Sequence, residues 1–217
     1  MKPLSILNRR HFSLFVLGSL SARFSQAKQA SGPVLVVGDS LSAEYGLRRG
    51  SGWVALLEQR LQQQGLALAV INASVSGDTT SGGRSRLAPL LQQHRPAVVV
   101  IELGGNDALR GLPLAMTRDN LMAMANQARA AGARVLLLGM EMPPNYGARY
   151  AADFRSLYRS VAQATGAELV PFLLKGVADR TDSYALFQAD RIHPNEQAQA
   201  IMLDNVWPVL RKLLRAR

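Results

Sequence analysis

The sequence contains no cysteine, which excludes disulfides, thiolate metal sites, a cysteine nucleophile and a lipoprotein anchor at once. Packing must hold the fold together. Histidine is almost as scarce. Of the three present, His11 lies near the N-terminus and His94 sits in the polar stretch Gln92-Gln93-His94-Arg95, so His193 alone is placed to carry chemistry. One usable histidine and no thiolate are too few ligands to surround a zinc ion, and neither a metal nor an organic cofactor is expected. No apolar run approaches the ~20 residues of a membrane span. No G-x-G-x-x-G or Walker-type loop follows the first aliphatic run, Val34 to Val37, which removes nucleotide binding from consideration.

Acidic residues are also few, 15 against 25 Lys and Arg, for a net charge of +10. The N-terminus accounts for part of that excess. Residues 1–27 hold Lys2, Arg9, Arg10 and Arg23 with no acid, and the remainder carries 21 bases against 15 acids, or +6. The basic C-terminal residues Arg211, Lys212, Arg215 and Arg217 suit the end of a helix dipole, so no nucleic-acid partner is expected. Lys2, Arg9 and Arg10, then the apolar run Phe12 to Leu20, then Ala22, Ser25 and Ala27, give the basic, apolar and small order of an export signal ending at Ala27. A Sec or a twin-arginine route fits it, and the protein is expected in the periplasm or outside the cell. With 217 residues, 48 % of them hydrophobic, residues 28–217 should form one domain with an ordinary core.

Along that domain short aliphatic runs alternate with segments of helical period. Strands are expected at Val34–Val37, Leu66–Ile71, Ala97–Leu103, Val135–Leu138 and Leu169–Phe172. Helices are expected through Trp53, Leu57 and Leu61, through about Arg84 to Gln93, through Leu121, Met124 and Ala128, through Phe154, Leu157 and Val161, and from about Pro194 onward. Aliphatic runs without polar alternation suit strands buried on both faces. The alternation predicts a three-layer α/β/α fold with a five-stranded, mostly parallel sheet; in the flavodoxin-like arrangement the strand order is 2-1-3-4-5.

Ser40, in Gly38-Asp39-Ser40-Leu41, follows the first strand, where α/β proteins place their sites; a serine there also suits a helix cap. In the strand order above, the Asn106 loop, Gly104-Gly105-Asn106-Asp107, faces it across the crevice. His193 falls in Asp190-Arg191-Ile192-His193-Pro194. A three-residue separation across such a turn brings a carboxylate beside the imidazole, where it fixes the tautomer and stabilises the imidazolium. Asp39 and Asp107 read as residues that hold loops.

Gly38-Asp39-Ser40-Leu41-Ser42, Gly77, Gly104-Gly105-Asn106-Asp107 and Asp190-x-x-His193 together resemble the four sequence blocks of the GDSL, or SGNH, hydrolases, in order and over nearly the whole domain. Residues 102–111, 144–150 and 192–195 are similar to the bacterial periplasmic esterases that act as acyl-CoA thioesterase, arylesterase and lysophospholipase. The resemblance implies Ser40 as nucleophile, His193 as general base and then acid, and Asp190 as its partner, with Ser40 N–H, Gly77 N–H and the Asn106 amide as oxyanion donors. It also implies an acyl pocket, for which Leu41, Leu109, Leu112, Met142 and Tyr146 are the candidates, and a monomer acting on small acyl esters or lysophospholipids. Glu44 stands where that subgroup commonly has glycine, and a carboxylate at the mouth would disfavour anionic thioesters. A carbohydrate O-acetylesterase with a small acyl pocket is the alternative on this scaffold, and a non-catalytic anionic-surface binder the alternative outside it.

Overall fold

The computed structural model describes residues 32–215; the leader expected over 1–27 lies outside them. Five strands, β1 (Val34–Gly38), β2 (Val70–Asn72), β3 (Val98–Glu102), β4 (Arg134–Leu138) and β5 (Glu168–Val170), form one sheet in the order β2-β1-β3-β4-β5 with every pair parallel. That is the expected topology. Every residue of β1 and β3 is buried, as strands covered on both faces require. Each Val or Leu so buried contributes about 1.5–3 kcal/mol of transfer free energy.

The described residues form six α-helices: α1 (Trp53–Gln63), α2 (Thr80–His94), α3 (Gly105–Leu109), α4 (Leu114–Ala130), α5 (Ala148–Thr165) and α6 (Glu196–Arg215). α1 packs against α6, while α2 packs on α4 and α4 on α5, so the sheet lies between two helical layers. α1 ends before Gly65 and α5 at Gly166, both glycines with positive φ, where a left-handed residue closes a helix.

The differences from expectation have local causes. β2 is shorter than Leu66–Ile71 because its ladder starts where Val34 meets Val70, and Pro33, just before, faces β3, its carbonyl accepting from Ala97 N (3.0 Å). β5 stops short of Phe172 because Pro171 follows Val170. α2 begins a turn before Arg84: the Thr79 hydroxyl caps it by accepting from Gly82 N (3.3 Å), and Thr80 N donates to Asp107 Oδ2 (2.9 Å). Those partners outweigh the poor helix propensity of the two glycines that follow. α3 was not expected at all. Between β1 and β3 the chain leaves for opposite helical layers, which opens a crevice at their carboxyl ends.

Candidate active site

At the end of β1 the chain turns sharply on Asp39. Its carbonyl accepts from Ser42 N (3.2 Å) and Ala43 N (2.9 Å), and its carboxylate from Leu41 N (3.0 Å). Ser40 is held at the apex of that turn. The facing loop is closed by Gln188 N donating to His193 O (2.8 Å) and Asn195 N to Leu186 O (2.8 Å). Within it, Asp190 Oδ1 accepts from the N–H groups of Ile192 and His193, each at 3.0 Å, and Oδ2 lies 2.6 Å from His193 Nδ1. His193 Nε2 lies 2.9 Å from Ser40 Oγ. With the ring proton on Nδ1, Nε2 is left to accept from the serine hydroxyl. Desolvation works against ionisation of Asp190, but the hydrogen bonds from His193 and Ile192 outweigh it and hold the carboxyl at about 2. Tyr45 packs on the imidazole with ring centroids 4.5 Å apart.

Asn106 opens α3, just after Gly104. Gly104 has φ +118, and a Cβ there would lie 2.5 Å from the Tyr158 hydroxyl, so no other residue fits. Asn106 Nδ2 donates to Asp39 Oδ2 at 3.0 Å, which ties the asparagine to the turn carrying Ser40. Gly77 lies on the loop after β2, joined to the same turn by Val75 N donating to Gly38 O (3.0 Å). The need for glycine at 77 comes from its φ of +78 and not from crowding, since a Cβ would meet nothing nearer than Arg110 Nη2 at 3.7 Å.

Beneath the nucleophile lies a buried polar chain. Trp53 Nε1 donates to Ser42 Oγ (3.2 Å), which donates to Glu102 Oε2 (2.8 Å), and Asp39 N donates to the same oxygen (3.2 Å). Burial first, and the charge of Asp39 second, push the Glu102 carboxyl well up. Burial also raises Asp39, to about 6, against the hydrogen bonds that favour its ionised form. Burial thus works against ionisation of both carboxyls of the pair.

Two further residues were not found by reading the sequence. Arg86 of α2 donates to Asp78 Oδ2 through Nε (2.8 Å), to Gly38 O through Nη2 (3.3 Å) and to Ala73 O through Nη1. One guanidinium thus joins the loops that carry Ser40 and Gly77. Tyr45 is the other, and nothing in its local pattern marks it. Arg86 had a weak signal, a cation directly before the buried Leu87 in α2.

A cavity of about 620 Å³ has Gly105 and Ile192, the chain neighbours of Asn106 and His193, in its wall. Leu109, Met142 and Tyr146 line it together with Phe154, Phe172 and Phe187. Leu41 and Leu112 are not in its wall: Leu41 packs partly buried against the core, and Leu112 follows α3, its N–H bonded to Asp107 O (2.9 Å). The Glu44 carboxylate accepts from Gly50 N (3.0 Å to each oxygen) and Gly52 N (2.8 Å), which commits it to the turn before α1. Asp107 holds loops as expected, accepting from Thr80 N, Thr80 Oγ1 and Thr117 Oγ1.

The family model for GDSL-like lipases and acylhydrolases matches residues 36–201. The chain belongs to that family. It is 50 % identical to Esterase TesA of Pseudomonas aeruginosa over 202 residues, 93 % of this chain and 99 % of that protein. It is 39 % identical to Thioesterase 1/protease 1/lysophospholipase L1 of Escherichia coli over 175 residues, 81 % of each chain. A crystal structure of TesA aligns with a TM-score of 0.81 at 53 % identity, covering 84 % of this chain and 99 % of that one. The protein is a GDSL-family esterase, and the turn at Ser40 with the loop at His193 is where that family chemistry is to be sought.

Proposed function

We propose that the protein hydrolyses carboxylic esters of acyl chains, with lysophospholipids and simple aryl esters as substrates and thioesters open to the same chemistry. The hydrogen-bonded run from Asp190 through His193 to Ser40 carries the reading. Ser40 Oγ attacks the carbonyl carbon as His193 Nε2 takes its proton, and Asp190 stabilises the imidazolium that forms. Negative charge then gathers on the former carbonyl oxygen, where Ser40 N–H, Gly77 N–H and the second amide hydrogen of Asn106 are the proposed donors, each worth about 3 kcal/mol. His193 returns the proton to the leaving alcohol or thiol, and water repeats the sequence to free the acid.

The acyl chain is assigned to the cavity lined by Leu109, Met142 and Tyr146. Its volume lies within the ~300–1,000 Å³ of ordinary ligand pockets, and its aromatic and methionine lining suits a flexible chain better than an acetyl group. The order of residues 1–27 supports export, with cleavage after Ala27 leaving residues 28–217 as one domain in the periplasm or outside the cell. Among the described residues no helix is long and apolar enough to cross a membrane.

The test is hydrolysis of p-nitrophenyl esters from acetyl to palmitoyl by residues 28–217, beside Ser40→Ala. The expected result is activity with an optimum beyond acetyl, lost in the variant with its melting curve unchanged. Full activity in Ser40→Ala would overturn the mechanism, and an acetyl optimum would overturn the acyl assignment.

A further inference from the structure

The ring of Tyr45 lies against that of His193, with centroids 4.5 Å apart and planes tilted by 42°. Three contacts hold it there. Its N–H donates to Ser40 O (3.4 Å), so it shares the turn that carries the nucleophile. Glu44, the residue before it, has φ +59, a left-handed backbone that is strained for any residue with a Cβ. The Glu44 carboxylate keeps that conformation by accepting from Gly50 N and Gly52 N. The Tyr45 carbonyl, in turn, accepts from Gln188 Nε2 at 2.9 Å. Gln188 belongs to the histidine loop: its N–H donates to His193 O (2.8 Å), its carbonyl accepts from Arg191 N (2.9 Å), and Nε2 also donates to Pro194 O (3.2 Å). Gly46 admits this side chain, because a Cβ at position 46 would overlap Gln188 Oε1. One amide thus ties the segment after Ser40 to the segment that bears His193.

The tie matters most midway through the reaction. Before attack, Ser40 Oγ lies 2.9 Å from His193 Nε2, and that hydrogen bond itself keeps the two segments in register. Once the acyl group is on Ser40 Oγ, the oxygen has no hydrogen left to donate. Asp190 cannot replace that bond, because it lies in the same loop as His193 and moves with it. Yet His193 must then take a proton from water as the water oxygen attacks the acyl carbon, and pass it to Ser40 Oγ as the bond from that oxygen to the acyl carbon breaks. We propose that Tyr45, anchored by Gln188, is a positioning residue that holds the imidazole in register with the acylated serine during this second half of the reaction. The proposal rests on the Ser40–His193 reading above and gives two residues outside the triad a part in one of its two steps.

Hydrolysis of p-nitrophenyl butyrate separates the two steps. Because p-nitrophenolate is a good leaving group, the acyl-enzyme forms quickly, so kcat reports the attack of water while kcat/KM reports acylation. Tyr45 is 50 % exposed, and replacing it removes no core packing. Tyr45→Ala and Gln188→Ala should each lower kcat by about tenfold with KM falling in proportion, leaving kcat/KM within about twofold of wild type. Acid-quenched samples of both variants should carry more butyryl on Ser40 by mass spectrometry than wild type. Tyr45→Phe keeps the ring against the imidazole and should restore the wild-type kcat. The double variant should be no slower than the slower single one, since Gln188 acts through Tyr45. The proposal is overturned if Tyr45→Ala turns over at the wild-type rate, if kcat/KM falls as far as kcat, if Tyr45→Phe behaves like Tyr45→Ala, or if the two losses multiply in the double variant. Any of those results with butyryl found on Ser40 would leave the esterase reading standing. Hydrolysis with no butyryl on Ser40 in wild type or variants would overturn both.

Discussion

One amide hydrogen of Asn106 is held by Asp39 Oδ2 at 3.0 Å, which leaves the other aimed by a side chain that cannot rotate freely. Asn106→Ala is therefore expected to lower kcat by about 10²- to 10³-fold with little change in KM; a wild-type kcat in steady-state assays would remove Asn106 from the oxyanion site. Asp39 itself gives a pH signature. Burial raises its carboxyl from 3.8 to about 6 despite the bonds from Leu41, Glu102 and Asn106 and the nearby His193. A raised acid takes up its proton first in the folded state, so this group adds stability as pH falls from about 6 toward 4 and withdraws it as pH rises through that window. Asp190, lowered to about 2, acts with the opposite sign, and its contribution is lost as pH falls below 3.8 toward 2. Asp39→Asn should remove the first of these slopes from a plot of melting temperature against pH. An unchanged slope between about pH 4 and 6 would assign the titration to another group.

The strands that bear the site are short, and the loops between them would drift without cross-bracing. Arg86 supplies it from α2, bonding Gly38 O, Ala73 O and Asp78 together. Arg86→Lys keeps the charge but loses the planar fork, and displaced donors cost catalysis more than binding. The expected result is a fall in kcat of roughly tenfold with KM nearly constant; a matched change in KM alone would assign Arg86 to substrate binding. Helix and strand positions were legible because apolar runs and glycine stops reflect local sterics. Their ends were less so: the start of α2 depends on Asp107, 27 residues away from Thr80, and the start of β2 depends on where β1 begins.

Across the whole domain, β1, β3 and β4 share one core, and only the carboxyl ends of β1 and β3 reach the site. Leu136, fully buried in β4, has no part in the site, and Leu136→Ala should cost about 2–5 kcal/mol in urea unfolding. Activity per folded molecule should stay at the wild-type level; a parallel loss would mean that sheet packing and site geometry are coupled. The sheet order sets the crevice between β1 and β3, and with it the meeting of Ser40, from the chain's first fifth, with His193, from its last.

Residues in sequence were enough for the layer architecture, because alternation of aliphatic runs and helical segments along the chain is a local property, while the expectation for Ser40, Asp190, His193, Gly77 and Asn106 rested on the resemblance of four short blocks to the family. They were not enough for the cavity. Phe154, Phe172 and Phe187 reach it from an α-helix and two irregular segments with no common period, while Leu41 and Leu112, adjacent to the motifs, are not in its wall. The role of Glu44 was likewise decided by two backbone N–H groups on a neighbouring turn, and that of Arg86 by three loops converging on one side chain. Contacts between segments distant in the chain depend on how the layers pack, and no local pattern of residues encodes them.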